Sequence, residues 1–164
     1  VFERLLNKQV IVGSSSSVIV KRVILDKIGY FSEKNIVEDW DMWIRISRKY
    51  LVDFVSEPLV YLDSSYNMGR SKNQEKKLLR RLNLIYEHKN ELINRGLIDK
   101  SISNYWILAS RLNQYSGKPL ASIKCAYKAA KKNISIESLK RLFVSTLFLI
   151  IPIKNPLFFF RIKH

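Results

Sequence analysis

Cysteine, histidine and glycine are scarce in this 164-residue chain, and each shortage removes a class of site. Cys125 is the only cysteine, so an intrachain disulfide is excluded and a reducing compartment is compatible. His88 and His164 are too few and too scattered to form a histidine metal cluster within the chain. The five glycines occur in no glycine-rich phosphate-loop order, so that kind of nucleotide site is not expected.

The chain also lacks a signal peptide and an apolar run long enough to span a bilayer. Val1-Phe2-Glu3-Arg4 has no charged-then-apolar order, and the first residue is not Met, so we expect a piece of a longer reading frame. Residues 142–153 are apolar apart from Ser145 and Thr146, but a spanning helix needs about 20 apolar residues and Pro152 ends this run. The run predicts either an interfacial segment or a terminal helix packed on its neighbours.

Acidic side chains are scarce in only one part of the chain. Residues 1–66 carry nine Lys/Arg and nine Asp/Glu, whereas residues 67–164 carry twenty and five, and therefore the whole net charge of +15. This division predicts a neutral front domain over 1–66 and a basic helical extension with an apolar tail over 67–164. The extension should prefer an anionic partner, which leaves lipid headgroups, nucleic acid and charged glycans open.

The front part has the local signals of alternating strands and helices. A helix is predicted over Arg22–Ile28, followed by Gly29, and another over about Glu38–Lys49. Short β-branched segments predict four strands, at Val10–Val12, Val18–Lys21, Val52–Ser56 and Leu59–Tyr61.

After residue 73 the pattern is helical throughout. Gly96 and Gly117 predict helix ends, and Pro119 predicts a helix start. Apolar residues at helical spacing predict three buried stripes: Leu78, Leu82, Ile85 and Leu92; Ile102, Tyr105, Ala109 and Leu112; and Leu120, Ile123, Tyr127 and Ala130.

The acidic pair Glu38-Asp39 is followed by two tryptophans three residues apart, Trp40 and Trp43. Carboxylates in a first helical turn commonly complement the helix dipole, so plain capping is one interpretation. Tryptophan offers an apolar ring and a donor N–H, which also suits a pocket that stacks on a sugar.

Four segments in order resemble the C-terminal half of family 2 glycosyltransferases, which are nucleotide-sugar-dependent inverting enzymes with the GT-A fold. The resemblance covers roughly residues 7–66, and its segments are Ser16–Arg22, Ile28–Phe31, Glu38–Arg45 and Glu57–Tyr61. It implies an α/β fold, namely the acceptor-side half of a GT-A domain over 1–66, followed by an α-helical region over 67–164. It also implies a hexosyltransferase of cell-surface polysaccharide or glycoconjugate synthesis, with a nucleotide-sugar donor and a glycan or lipid-linked acceptor.

The same resemblance assigns the site residues. Asp39 matches the catalytic base, which such a reaction needs because a neutral hydroxyl is a poor nucleophile. Glu38 and Trp40 would bind the acceptor. The residues expected near the donor sugar are Ser15, Ser16 and Ser17.

The resemblance also implies a divalent metal, Mn or Mg, that stabilises the leaving diphosphate. No metal ligand is assigned to this chain, because Leu62 and Ser64 stand where the family often has an arginine and a histidine. No Asp-x-Asp motif precedes the acidic pair either. The ligands are therefore expected mostly outside this chain, and the chain alone is expected to be inactive.

The alternative is a basic helical module that binds nucleic acid or a membrane without catalysis, and a third interpretation is a non-catalytic scaffold. A nucleic-acid protein would interleave stacking aromatics with its basic stripe. Tyr86, Tyr105, Trp106 and Tyr127 instead recur on or beside the apolar stripes, which argues against nucleic acid. Basic and apolar groups together predict a peripheral protein on an anionic membrane surface, such as the cytoplasmic face of the plasma membrane.

Overall fold

The computed structural model describes residues 1–7, 15–31, 38–61 and 74–150, and the regular secondary structure within those ranges is helical. It divides into two compact units, Val1–Ile98 and Asp99–His164. The predicted boundary between residues 66 and 67 lies outside the described ranges. The helices are α1 (Phe2–Asn7), α2 (Arg22–Ile28), α3 (Glu38–Lys49), α4 (Gln74–Glu87), α5 (Lys89–Asn94), α6 (Ile98–Tyr115), α7 (Pro119–Lys132) and α8 (Ile136–Ile150), with a 3-10 turn at Ser15–Ser17.

The predicted α/β fold is wrong, and with it the assignment to the acceptor-side half of a GT-A domain. No strand occurs in the described ranges, which include Val18–Lys21, Val52–Ser56 and Leu59–Tyr61; Val10–Val12 lies outside them. Residues 51–61 are irregular and exposed. A strand needs a neighbour for its ladder of hydrogen bonds, and β-branched composition alone does not supply that neighbour. The all-helical architecture therefore corrects the resemblance to family 2 glycosyltransferases.

The core of the Val1–Ile98 unit lies between α1 and α3. Leu5 and Leu6 of α1 are buried, as are Trp40, Met42 and Ile44 of α3. The bounds of α3 match the prediction, and its buried residues, which also include Trp43 and Ile46, occupy more than one side of the helix. This packing fixes the N-terminal turn of α3, which carries the predicted acidic pair.

The helices α2, α4 and α5 surround that core with less burial. The predicted bounds of α2 are confirmed, and Gly29 follows it with φ +81°. The helix predicted to close near Gly96 is divided at His88 into α4 and α5. Its inward residues are Leu84, Ile85 and Leu92, so the buried face is turned slightly from the predicted stripe.

The Asp99–His164 unit contains α6 from its second residue onward, α7 and α8. Gly117, at φ +69°, lies between α6 and α7, and Pro119 is the first residue of α7, as the sequence predicts. The interior faces of the three helices carry small side chains: Ser101, Ser103, Ala109, Ser110, Ser122, Ala126, Ala129, Ser138 and Ser145. Leu120 and Tyr127, which were predicted to be buried, are exposed.

Candidate functional site

The predicted catalytic base, Asp39, lies in the first turn of α3. Its Oδ1 accepts a hydrogen bond from the backbone N–H of Trp40 at 2.7 Å. A carboxylate that accepts from a first-turn amide satisfies a donor that has no partner inside the helix. Glu38 is the first residue of α3, and its side chain lies outside the described atoms.

Trp40 is a core residue in this structure. Only 1% of its surface is exposed, and its indole Nε1 donates to the carbonyl of Leu5 at 2.6 Å. The Arg81 guanidinium lies 4.6 Å from the ring centroid. The buried indole therefore anchors α3 to α1.

The three serines predicted near the donor sugar, Ser15, Ser16 and Ser17, form the 3-10 turn, where Ser16 and Ser17 are exposed. No group of three or more His, Cys, Asp or Glu side chains is placed to hold a metal ion in the part of the chain that the structure describes. The described residues do not test sugar transfer, the divalent metal, or the roles predicted for Asp39, Glu38, Trp40 and the three serines. These stay predictions.

Arg45 connects α3 to the C-terminal end of α2. Its Nε donates to Asp41 Oδ2 at 2.9 Å, and Nη1 and Nη2 donate to the carbonyls of Ile28 at 2.8 Å and Tyr30 at 2.9 Å. Nη1 also reaches the carbonyl of Gly29 at 3.2 Å. The guanidinium therefore binds the C-terminal end of α2, where carbonyls lack helical partners. The pattern of α3 gave no signal for this long-range contact.

A polar cluster joins the three helices of the Asp99–His164 unit. The hydroxyls of Ser110, Ser122 and Ser145 lie 3.0 to 3.2 Å from one another. Arg141 of α8 enters the cluster, and its Nε donates to Ser110 Oγ at 2.8 Å and its Nη2 to Ser122 Oγ at 3.2 Å. The same Nη2 contacts the Gln114 side-chain oxygen. Hydroxyls of this kind satisfy one another's donors and acceptors inside a helix bundle.

Arg141 is a buried cation without a carboxylate partner among the described residues. It is 5% exposed, and every described ion pair involves other residues. Burial, and next the positive charge of Arg111, lower the pKa of Arg141 to about 10. The guanidinium is therefore still charged at neutral pH, and the serine and glutamine oxygens provide its solvation.

The polarity of α8 is the reverse of that of an ordinary surface helix. Ser138, Arg141 and Ser145 face the interior, and Ser138 Oγ donates to the carbonyl of Asn133 at 2.8 Å. Large apolar side chains are uncovered on its outward side: 74% of Ile136, 50% of Leu139 and 66% of Phe143 is exposed. We call Ile136, Leu139 and Phe143 the outward face of α8. Surface helices of water-soluble domains normally place such residues inward.

Lysines accompany this apolar surface on the neighbouring helix. The exposed residues of α7 include Lys124, Lys128, Lys131 and Lys132, and Lys140 is exposed on α8 itself. Residues 99–150 carry nine basic and two acidic side chains, a net charge of +7. The unit therefore combines an uncovered apolar helix face with a strong positive field.

The sequence does indicate which side of α8 is buried, but it does so through polar residues rather than through apolar periodicity. Residues 142–150 are apolar nearly all round, so the apolar residues do not identify a buried side. Ser138, Arg141 and Ser145 are three and four residues apart, which places them on one helical face. The polar stripe, and not an apolar one, marks the buried side.

No protein family, no curated protein and no solved structure matches this chain. Within the described ranges, no helix is both long enough and apolar enough to cross a bilayer.

Proposed function

We propose that this chain is a basic helical module that binds peripherally to an anionic membrane surface through the outward face of α8. The observation that carries the proposal is the reversed polarity of that helix. Its serine and arginine side chains are buried, while Ile136, Leu139 and Phe143 are uncovered. A bilayer interface is an environment in which such a face is covered without a change of fold.

The apolar contribution comes from side chains that already point outward. Full burial of a Leu, Ile or Phe side chain contributes about 1.5–3 kcal/mol relative to exposure, and an interfacial helix realises part of it. Because Phe143 and Leu139 lie one turn apart on α8, they can enter the same depth of the interface together. This contribution does not depend on salt.

The electrostatic contribution comes from the surplus of basic residues. Each Lys or Arg near an anionic leaflet contributes about 1 kcal/mol, and the contribution falls off over about one Debye length. Lys140 lies on α8 and Lys124 on α7, and long lysine stems let the ammonium reach headgroups beside an inserted apolar face. The cytoplasmic face of the plasma membrane has the required negative sign.

Lipid is favoured over nucleic acid because α8 exposes the apolar side chains Ile136, Leu139 and Phe143. Nucleic-acid affinity rests on contacts between phosphates and basic groups, with aromatic rings stacked on bases. Burial of Ile136 and Leu139 would contribute little to either kind of contact. A nucleic-acid protein would therefore tolerate charge on the outward face of α8 better than a membrane protein would.

Cosedimentation with lipid vesicles tests the proposal. The intact chain should bind vesicles that contain about one third phosphatidylserine, and binding should weaken as salt rises from about 0.1 M to 0.5 M. Phe143→Glu should reduce the vesicle partition coefficient at least about 10-fold, because the variant places a carboxylate in the apolar interface. Tyr86→Glu is the matched control, since it removes an exposed aromatic from α4 and adds the same charge.

Two outcomes would contradict the proposal. One is unchanged vesicle binding by Phe143→Glu while its helical circular dichroism matches that of the parent chain. The other is tighter retention on nucleic acid than on anionic vesicles at equal salt, with no loss in the Phe143→Glu variant. Equal losses in Phe143→Glu and Tyr86→Glu would show a general charge effect and would also count against a specific face.

A further inference from the structure

A cavity of about 490 Å³ lies between α6 and α7 in the Asp99–His164 unit. Its lining residues are Asp99 and Trp106 of α6 with Lys128, Lys131 and Lys132 of α7. Small-molecule sites commonly have volumes of about 300–1,000 Å³. None of the lining residues belongs to the outward face of α8, although the three lysines of the lining also contribute to the positive charge of the unit.

The aromatic wall of the cavity is Trp106. The Nζ atom of Lys128 lies 4.3 Å from the centroid of its ring, and Tyr105 meets the ring edge-on with centroids 5.0 Å apart. Trp106 is only half-buried. A lysine above an indole is stabilised by the negative ring face, which fixes the ammonium beside a flat apolar surface.

The charges in the cavity are unbalanced. Lys132 Nζ lies 3.1 Å from Asp99 Oδ1. Lys128 and Lys131 form no ion pair with any described residue, so the lining carries a net charge of +2. The negative end of the α7 dipole stabilises Lys131 and Lys132, which lie in its last turn. Lys128, over the indole ring, lies before that turn.

We infer that this cavity binds a phosphomonoester carried on a sugar or polyol ring. A phosphomonoester has a charge of about −1.5 to −2 at pH 7, which matches the unpaired lysines. Lysine binds phosphate as a compact charge with three donors. The part of the half-buried indole beside Lys128 offers an apolar contact for a sugar or polyol ring, and the Asp99 carboxylate, which is paired with Lys132, can also accept from a ring hydroxyl.

Two sources supply this chemistry, a soluble sugar phosphate and the phosphorylated headgroup of an inositol lipid. Both present a phosphate on a hydroxylated ring, and the cavity geometry recognises that shared group. Binding of the soluble source does not involve a membrane, so the inference stands or falls separately from the membrane-binding proposal.

Indole N–H resonances of the full 164-residue chain provide the readout. The chain has three tryptophans, and Trp106→Phe identifies the Trp106 resonance by its loss. Titration with glucose 6-phosphate should shift that resonance saturably, whereas unphosphorylated glucose should not. Lys128→Gln and Lys131→Gln should each weaken binding at least about 10-fold, because each removes a charge-assisted contact to phosphate. Lys124→Gln is the control, since Lys124 is an exposed lysine of α7 outside the cavity.

A second titration with a water-soluble, short-chain phosphatidylinositol 4-phosphate separates the two sources. Saturable binding of either probe with loss in both cavity variants supports the site, and the tighter probe identifies the source. An unmoved Trp106 resonance with both probes overturns the inference. An equal loss in Lys124→Gln also overturns it, because the effect would then come from net charge alone.

Discussion

At the residue scale, Trp40 and Arg45 show how α3 is held by contacts far away in sequence. The indole of Trp40 donates to Leu5, and the guanidinium of Arg45 binds the carbonyl end of α2. Both side chains satisfy backbone carbonyls that would otherwise lack a partner. The residues that resembled a catalytic segment are therefore joined mainly to the structural core of the Val1–Ile98 unit.

His88 is the residue whose protonation should affect stability near neutral pH. Arg48 Nη2 lies 3.1 Å from His88 Nδ1 and 2.7 Å from Glu91 Oε2, and His88 Nε2 is buried without a hydrogen-bond partner among the described residues. Burial, and next the charge of Arg48, lower the pKa of His88 below its ordinary value of 6.5, although Asp41 and Glu91 act in the opposite direction. The folded chain therefore favours the neutral imidazole.

The free energy of unfolding should fall as the pH is lowered from about 6.5. In that window the unfolded chain takes up a proton at His88 more readily than the folded chain, which favours unfolding. Urea unfolding at about pH 7 and pH 5 measures the difference. His88→Gln should lose part of this pH dependence, while His164→Gln should keep it. Identical pH dependence in the parent chain and His88→Gln would contradict the role of His88.

At the element scale, local signals predicted helix bounds well and burial poorly. The bounds of α2 and α3 follow from their apolar spacing and from Gly29, and Pro119 correctly marks the start of α7. These signals act within one or two turns of the chain, where capping and backbone preferences operate.

The predictions of strands and of buried apolar stripes failed because both features depend on partners elsewhere in the chain. Residues 52–56 have strand composition but no neighbouring strand among the described residues. On α7 the interior side is set by Ser122, Ala126 and Ala129, whose small size permits close helix packing, so Tyr127 faces outward. A prediction from apolar periodicity assumes that the largest apolar side chains fill the interior. This assumption does not hold where a cluster of hydroxyls fills it instead.

The cluster of Ser110, Ser122, Ser145 and Arg141 should show strong coupling between its members. Ser110→Ala should reduce the free energy of unfolding by about 2 kcal/mol, because it removes the acceptor of a buried guanidinium N–H. In an Arg141→Met background the same substitution should cost less than about 1 kcal/mol, since no buried charge is left unpaired. Chemical denaturation of the four chains of this double-mutant cycle measures the coupling.

Ser103→Ala provides the control for that cycle. Ser103 Oγ is buried and donates to the carbonyl of Ala129 at 2.9 Å, with no contact to the guanidinium. Its cost should be the same with and without Arg141. A coupling energy near zero for Ser110 and Arg141, or one equal to the Ser103 value, would show that the guanidinium does not depend on the hydroxyl.

At the scale of the whole molecule, salt should act in opposite directions on two kinds of association. The net charge of +15 repels copies of the chain from one another, while exposed apolar side chains in residues 51–61 and on α8 favour contact. Screening shortens the Debye length from about 10 Å at 0.1 M to about 3 Å at 1 M. Self-association should therefore rise over the salt range in which vesicle binding falls.

Sedimentation velocity at several salt concentrations measures this association. Phe54→Lys should lower the associated fraction at high salt, because Phe54 is among the most exposed side chains of residues 51–61. Tyr86→Lys adds the same charge outside that segment and should have a smaller effect. Association that decreases with added salt would show that ionic contacts, and not apolar ones, hold the copies together.

The hydroxyl-lined interior of the Asp99–His164 unit also has a consequence for its heat capacity. Unfolding raises the heat capacity in proportion to the apolar surface it exposes and lowers it for polar surface. The buried core consists of serines and alanines with one isoleucine, Ile107, and one guanidinium, so this unit should unfold with a smaller heat-capacity increment than a unit of the same size whose core holds large apolar side chains. Docking of Phe143 and its neighbours on a bilayer would remove further apolar surface from water, so membrane binding should carry a negative heat-capacity change of its own.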